Sequence, residues 1–425
     1  MPGDGLAALT TGEIGQTPLT ESTLAASDDN EPNPRTVYDS IFVGSSPVLL
    51  LEALHLSRQG QRVGILEARP NLGGAWYARN LWNVGNIDVG THYIEPGQYT
   101  NHLLRDVLGI TCDPQQYDIM WCAQEEPDDD QQSSRSLLQR IEERLKQTLV
   151  QGRLIPVDKW LLITAIFHNS VATVRKPSPK AVLNNLRNIG SALARFFSSR
   201  TPRLYPRQGC HGIVSALRSR IEETSIRVFT DARVDRVVVG EAGAPNECHA
   251  GKSMYLARHV ITGQNVPFDL VVDGSSSQGE LHIRFWVHTI LKVKGTKRRP
   301  FDFIDLRSSN PPFKRIQDVT SQALEYSNLQ RDELLICCQS ENNSRPPQSE
   351  QQAQEMLKTL KEIKLLSGDA QLIEWHSELF STRCDDNRDR VQQMVPSLHP
   401  SVRVMRTYDL GACIEQNRDR WGSLG

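Results

Sequence analysis

Y-D-S-I-F-V-G-S-S-P-V-L-L-L-E-A-L-H-L-S-R-Q-G-Q-R-V-G-I-L-E-A-R-P-N-L-G-G-A-W, Tyr38 to Trp76, is the stretch from which the rest of the chain is read. It opens with a short apolar run ending at Gly44, which predicts a strand. A tight turn, Gly44-Ser45-Ser46, leads into an apolar helix from Pro47 to about Arg58. Proline suits the first helical position because its missing N–H has no intrahelical acceptor there. Gly60 stops the helix, and a second strand, Arg62 to Leu66, runs straight into Glu67. Strand, turn, helix and strand make a βαβ unit. Its first strand–helix junction presents unpaired N–H groups and a positive dipole end, which suit a pyrophosphate. A carboxylate closing the second strand accepts hydrogen bonds from the hydroxyls of an adenosine ribose. The phosphate-loop pattern G-x-G-x-x-G is incomplete, since only its first glycine, Gly44, is present. Ser46 puts a side chain where the backbone approaches the pyrophosphate, but it also offers a hydroxyl donor. Leu49 stands where a small residue normally lets helix and strand pack closely.

After Glu67 comes A-R-P-N-L-G-G-A-W. An acid at a strand end, a short loop and then Gly-Gly resembles the FAD-binding N-terminus of one flavoprotein group. That group includes the amine oxidases, protoporphyrinogen oxidase, phytoene desaturases and UDP-galactopyranose mutase. The resemblance implies FAD as cofactor. Gly44, Ser45, Ser46 and Pro47 would hold it at the turn, and Glu67, Ala68 and Arg69 at the end of the second strand. Gly73, Gly74, Ala75 and Trp76 would line the path of the ribityl-diphosphate. Taken alone, Gly73-Gly74 is an ordinary surface turn.

The same group is echoed further along. N-I-D-V-G-T-H-Y-I-E-P, Asn86 to Pro96, is similar to the strand that passes the isoalloxazine ring, with Gly90 and His92 as the matching pair; the bland alternative for His92 is a core histidine satisfied by backbone. Y-P-R-Q-G-C-H-G-I-V-S-A-L resembles a Y-P-x-G-G-x-x-x-L-x-x-A-L segment through Tyr205, Pro206, Gly209, Ala216 and Leu217, with Cys210 replacing the second glycine. The resemblance turns this segment toward the cleft and makes Tyr205 and Arg207 substrate-side candidates. It implies that Val234 lends its backbone to the adenine. It also aims the helix beginning at Asp409 and Leu410 toward the flavin pyrimidine; an Asp N-cap on a terminal helix explains Asp409 equally well.

The chain has 425 residues and a formal net charge of −2, so no global field favours nucleic acid or an anionic membrane. Its 8 cysteines form no CxxC pair, and adjacent Cys337-Cys338 lie in an apolar strand-like run that suggests buried thiols. No metal-ligand constellation is present; Cys248-His249 is an isolated pair. The apolar run from Trp160 to Phe167 is too short to cross a bilayer. No secretory signal is visible, so a reducing cytoplasm is expected.

The predicted class is α/β: an FAD-binding Rossmann-type (βαβ) domain, an inserted helical cap and a second, antiparallel-sheet substrate domain. Residues 1–35, polar and acidic, form a disordered tail. Residues 36–110 and 204–278 make two parts of the FAD-binding domain, and 395–425 return to it as a strand and helix. Residues 111–203 form the helical cap, with helices at 134–151, 160–174 and from 178 onward. Residues 279–394 supply the substrate-side sheet and its helix. A hairpin is expected from Tyr255 to Gly274, turning at Gly263-Gln264.

Three functions fit these motifs. One is an FAD-dependent oxidoreductase acting on a small organic molecule, with a small-molecule substrate as its partner. The second is a mutase-like flavin-dependent isomerase. The third is a non-catalytic relative, similar in fold to the Rab GDP-dissociation inhibitors. The catalytic residue stays open, and cations at Arg175, Lys176, Arg203, Arg207, Lys314 and Arg315 are candidates for an anionic substrate.

Overall fold

The computed structural model describes residues 36–90, 92–122, 154–156, 202–241, 243–263, 268–272, 275–276, 282–306, 312–320, 329–342, 349–384, 399–405 and 410–424. The tail at 1–35 and the three cap helices expected between 134 and 196 lie outside them.

The first strand, Val37–Val43, runs through the interior of a nine-stranded sheet. It lies parallel to Val63–Leu66 on one side and to Ser253–Gly263 on the other, with Phe42 in register with both Ile65 and Ile261. Arg227–Phe229 extends the sheet beyond Val63–Leu66 in the same sense. Val402–Met405 pairs in parallel with Ser253–Gly263, so the end of the chain returns to the sheet that its beginning founded. Parallel strands of this kind are covered on both faces, which accounts for the buried apolar run Ile41-Phe42-Val43 in the second half of the first strand. The helix Pro47–Arg58 covers one face and is buried from Pro47 through Leu56. The helices Cys210–Glu222 and Leu410–Gln416 pack against it in turn.

The expected hairpin is paired differently. Ser253–Gly263 runs antiparallel to Asn246–Ala250, turning at Gly251 (φ +58°), and Asp269–Val272 lies parallel to Arg236–Val238. The Asn246 side chain fixes the pairing by donating to the carbonyls of Ala257 (3.2 Å) and Arg258 (2.9 Å). N-E-C-H-A hides a strand because only Cys248 in it is apolar and fully buried.

A second sheet has seven strands in the order Gln371–Cys384, His282–Lys294, Glu333–Asn342, Arg315–Asp318, Phe303–Leu306, Tyr117–Cys122 and Leu154–Pro156. All neighbours are antiparallel except Phe303–Leu306 with Tyr117–Cys122. Tyr117–Cys122 and Cys112–Gln115 are strands where the sequence reading begins a helical cap; the latter pairs with Arg203–Pro206. The helix Glu350–Glu362 covers one face of this sheet through Met356, Leu357 and Leu360. Ser349 caps it, accepting from the Gln352 N–H. The opposite face, through Ile290, Leu335 and Cys337, packs on Val84, Ile87 and Val89 of the hairpin Ala78–Leu81 and Val84–Asp88. That hairpin therefore stands between the two sheets and carries the chain from one to the other.

Candidate cofactor site

Gly44 ends the first strand at φ +93°, a conformation that favours glycine. The next residue, Ser45, is 1% exposed and joins three segments. Its hydroxyl donates to Glu67 Oε2 and accepts from the Gly73 N–H at 2.9 Å, while its carbonyl accepts from the same N–H at 3.2 Å. Glu67, itself buried, accepts from the Arg69 N–H at 3.0 Å through Oε1. The turn, the end of the second strand and the glycine pair are thus one hydrogen-bonded unit. Gly73 has φ +119°, and a Cβ there would lie 2.9 Å from Val214 Cγ1. Gly74 has φ +61° and lies over the turn, where a Cβ would stand 3.5 Å from the Ser46 nitrogen. Arg69 donates to the Gly74 carbonyl at 3.3 Å and stacks on Tyr77, its guanidinium 4.5 Å from the ring centroid. Ala68 and Ala75 are exposed.

Ser46 occupies the N-cap of the first helix, with φ −58° and ψ 154°, and Pro47 follows as its first helical residue. The Ser46 hydroxyl does not cap the helix; it is buried and has no partner among the described residues. A buried hydroxyl beside the free amides of a first helical turn is a donor awaiting an acceptor. These residues fit a pyrophosphate. Leu49 is buried at 3%, and a Cβ on Gly44 would lie 3.7 Å from its Cδ1, so this larger side chain fills the junction beneath the turn.

Gly90 and His92 meet the same unit from the other side. Gly90 has φ +143°, and a Cβ there would fall 2.5 Å from His92 Nε2. That nitrogen donates to the Ala75 carbonyl at 2.9 Å, and the imidazole stacks on Trp76 with centroids 4.8 Å apart. Burial pushes the His92 pKa down, more than the Asp88 charge and the Ala75 contact raise it. The ring is neutral at neutral pH, with its proton on Nε2.

Asp88 was not singled out by the sequence reading. It is 1% exposed and sits at the N-terminus of the helix Cys210–Glu222. It accepts from the Tyr205 hydroxyl, the Cys210 N–H at 2.6 Å and the His211 N–H at 3.4 Å. Burial acts to raise its pKa, but hydrogen bonds from His211, Tyr205 and Cys210 prevail and hold it below the ordinary carboxylate value. A lone acid between buried Ile87 and Val89 was the available signal. Tyr205 is accordingly buried at 2%, with its hydroxyl turned to Asp88. Arg207 is exposed and forks onto both oxygens of Asp113 at 3.0 Å.

Val234 is buried at 3%, on the segment after Arg227–Phe229 that runs beside Glu67. The Ala232 N–H donates to the Glu67 carbonyl at 2.9 Å and the Asp231 N–H to that of Arg69 at 3.2 Å. Leu410 is the first residue of the helix Leu410–Gln416 and is 1% exposed; Asp409 lies outside the described residues. Among the described residues no group of three or more His, Cys, Asp or Glu is placed to hold a metal, and no helix is long and apolar enough to cross a membrane. A cavity of about 250 Å³ behind the first helix, lined by Leu51, Leu54, Leu103 and Val107, shares no residue with this site.

Fold and site together define an α/β protein with a Rossmann-type βαβ unit and a second, largely antiparallel sheet. The family model for NAD(P)-binding Rossmann-like domains matches residues 43–108. No curated relative matches the chain in sequence. Among solved structures, reduced UDP-galactopyranose mutase is 12% identical with a TM-score of 0.57, covering 87% of this chain and 88% of its own. Cyclohexylamine oxidase from Brevibacterium oxydans IH-35A is 12% identical with a TM-score of 0.55, covering 92% and 99%. Putrescine oxidase bound to putrescine is 13% identical with a TM-score of 0.53, again covering 92% and 99%. The chain has the fold of the amine-oxidase and mutase group that its motifs resemble.

Proposed function

We propose that the protein is an FAD-dependent oxidoreductase acting on a small organic substrate, of the amine-oxidase or desaturase kind. The observation that carries this reading is the buried, unpartnered Ser46 hydroxyl at the start of the first helix. Ser46 and the helix start would hold the pyrophosphate, Glu67 the ribose, and the Val234 backbone the adenine. Gly73, Gly74, Ala75 and Trp76 would flank the ribityl chain, and Gly90 with His92 the ring. When bound, the flavin supplies the electron-accepting chemistry, and the chain supplies orientation and exclusion of water.

A second reading, a non-catalytic scaffold, is favoured by Glu67, whose two oxygens are already engaged by Ser45 and Arg69. A carboxylate has about four acceptor sites, so this engagement still leaves room for a ribose. The absorption spectrum of purified protein separates the two. The proposal expects a flavin band near about 450 nm that FAD, but not FMN or NAD, restores after stripping. Protein that stays colourless in excess FAD would put the scaffold first.

A further inference from the structure

The second sheet carries a polar row across its floor. Glu378 pairs with His288, His288 with Gln339, Gln339 with Arg315 and Arg315 with Asp305, one residue from each of five adjacent strands. Directly paired residues point to one side of a sheet. That side is the one carrying Ile290, Leu335 and Cys337, which faces the hairpin and Val89 just beyond it. The Gly90 backbone hydrogen-bonds to the Cys337 thiol, and the Arg315 charge is felt by both His92 and His288. The row therefore faces the segment after Val84–Asp88 that carries Gly90 and His92. We infer that this floor binds an anionic group of the substrate, a carboxylate or a phosphate, with Arg315 as its anchor.

The charges along the row single out Arg315. Glu378, at one end, is taken by Arg79 and His376, each at 3.0 Å. Asp305, at the other, accepts from the Tyr117 hydroxyl at 3.1 Å. Other cations of this sheet meet carboxylates: Lys292 faces Glu333 and Lys297 faces Asp318. Arg315 makes one hydrogen bond, 3.4 Å to Gln339 Oε1, and no ion pair among the described residues. A half-buried guanidinium without a counter-ion among the described residues is a standing demand for an anion, and its fork suits one with two oxygens.

Gln317 gives an independent second sign. It follows Arg315 by two residues on the same strand and so projects from the same face. It is 0% exposed, and both its amide nitrogen and its amide oxygen lack partners among the described residues. Leaving both ends of a buried amide unmade is costly, and a ligand's polar group beside Arg315 would satisfy them. His288 adds a neutral ring, because burial first and then the Arg315 charge beside it hold its pKa down to about 3.

That this anion belongs to a substrate rests on the flavoenzyme reading above, so the test has a readout that does not need the flavin. Benzoate is titrated into the full-length protein by calorimetry, beside benzamide as its uncharged counterpart and inorganic phosphate as the second anion. Benzoate or phosphate should bind, and benzamide at least about tenfold more weakly than benzoate. Arg315→Met should lose the anion by at least about tenfold, Arg315→Lys less, and Gln317→Leu severalfold. The tighter of the two anions names the source. An unchanged affinity in folded Arg315→Met overturns the inference, as does an equal loss in Arg207→Met. Yellow protein that binds neither anion removes the anion site and leaves the cofactor reading intact. Colourless protein that binds benzoate through Arg315 does the reverse.

Discussion

Ser46 stands at the start of the first helix, where the proposed function puts the phosphate oxygens, and its backbone at φ −58° and ψ 154° suits any residue. Glycine there would remove the hydroxyl donor but also the side chain that stands where the backbone approaches the pyrophosphate, and the two effects offset, so Ser46→Gly should hold FAD affinity within about threefold. Ser46→Val adds a branched side chain with no donor and should weaken FAD by at least about tenfold. Flavin fluorescence titration reads both, and two unchanged affinities would make the turn purely structural. The spacing of Glu67 and Gly73-Gly74 was enough to locate this unit, because local backbone geometry dictates all three positions. Ser45 was placed on the cofactor, yet its visible contacts are to Glu67 and Gly73. Arg315 is one of six cations the sequence offers for an anionic substrate, with nothing to set it apart from the other five, and Gln317 is not a candidate at all. Their meaning comes from register with strands far away in the chain, and a lone polar residue in a strand looks the same facing water as facing a floor.

The helix Cys210–Glu222 was legible as an element, but its anchor was not. Gly209 adopts φ +80°, and a Cβ there would press within 3.1 Å of both Asp88 oxygens. Glycine at this position lets the helix start close on the carboxylate. Cys210, which replaces the second glycine of the expected pair, then donates its N–H to Asp88. Asp88→Asn keeps an acceptor and removes the charge, and should lower stability at pH 7 by about 1.5–3 kcal/mol. The sign of its pH dependence follows from the lowered pKa. A carboxylate whose folded pKa lies below the unfolded value of 3.8 adds stability above that value and loses it as pH falls through its folded pKa. The gap between wild type and Asp88→Asn should therefore be full at pH 7 and shrink steadily below about pH 4. Urea denaturation at several pH values measures it; a constant gap would mean that Asp88 acts through shape alone. The hairpin that was paired differently teaches the same lesson at this scale. Turn residues at Gly263-Gln264 are local, whereas the pairing of Ser253–Gly263 is fixed by Asn246 and by the first strand beside it.

Across the whole molecule, the chain's two ends are locked together by one buried acid. Glu52 is the one acid in the apolar helix Pro47–Arg58, and it is 0% exposed. Arg403 donates to it at 2.8 Å, Arg420 to the same oxygen, and Trp421 Nε1 to the other at 2.9 Å. These partners lie 351 to 369 residues away, so no local pattern announces them. The acid joins the helix of the phosphate turn to the returning strand Val402–Met405 and the terminal helix Arg418–Trp421. Removing it has unequal effects on the three donors. Arg403 and Arg420 have side chains 41% and 40% exposed and can recover water. Trp421 is 0% exposed, and its indole N–H cannot. Glu52→Ala should thus cost about 3–5 kcal/mol, the range for breaking a buried charged partner, with the indole bearing much of it. Glu52→Gln keeps an acceptor for Trp421 and should cost about half as much. Arg403→Ala, which leaves Glu52 its other two donors, should cost least of the three. Chemical denaturation ranks the variants, and limited proteolysis should show the segment beyond Val402 released first in Glu52→Ala. A Glu52→Ala protein within about 0.5 kcal/mol of wild type would mean that the terminal helix is held by its apolar contacts, Leu410, Ile414 and Trp421, and not by the acid.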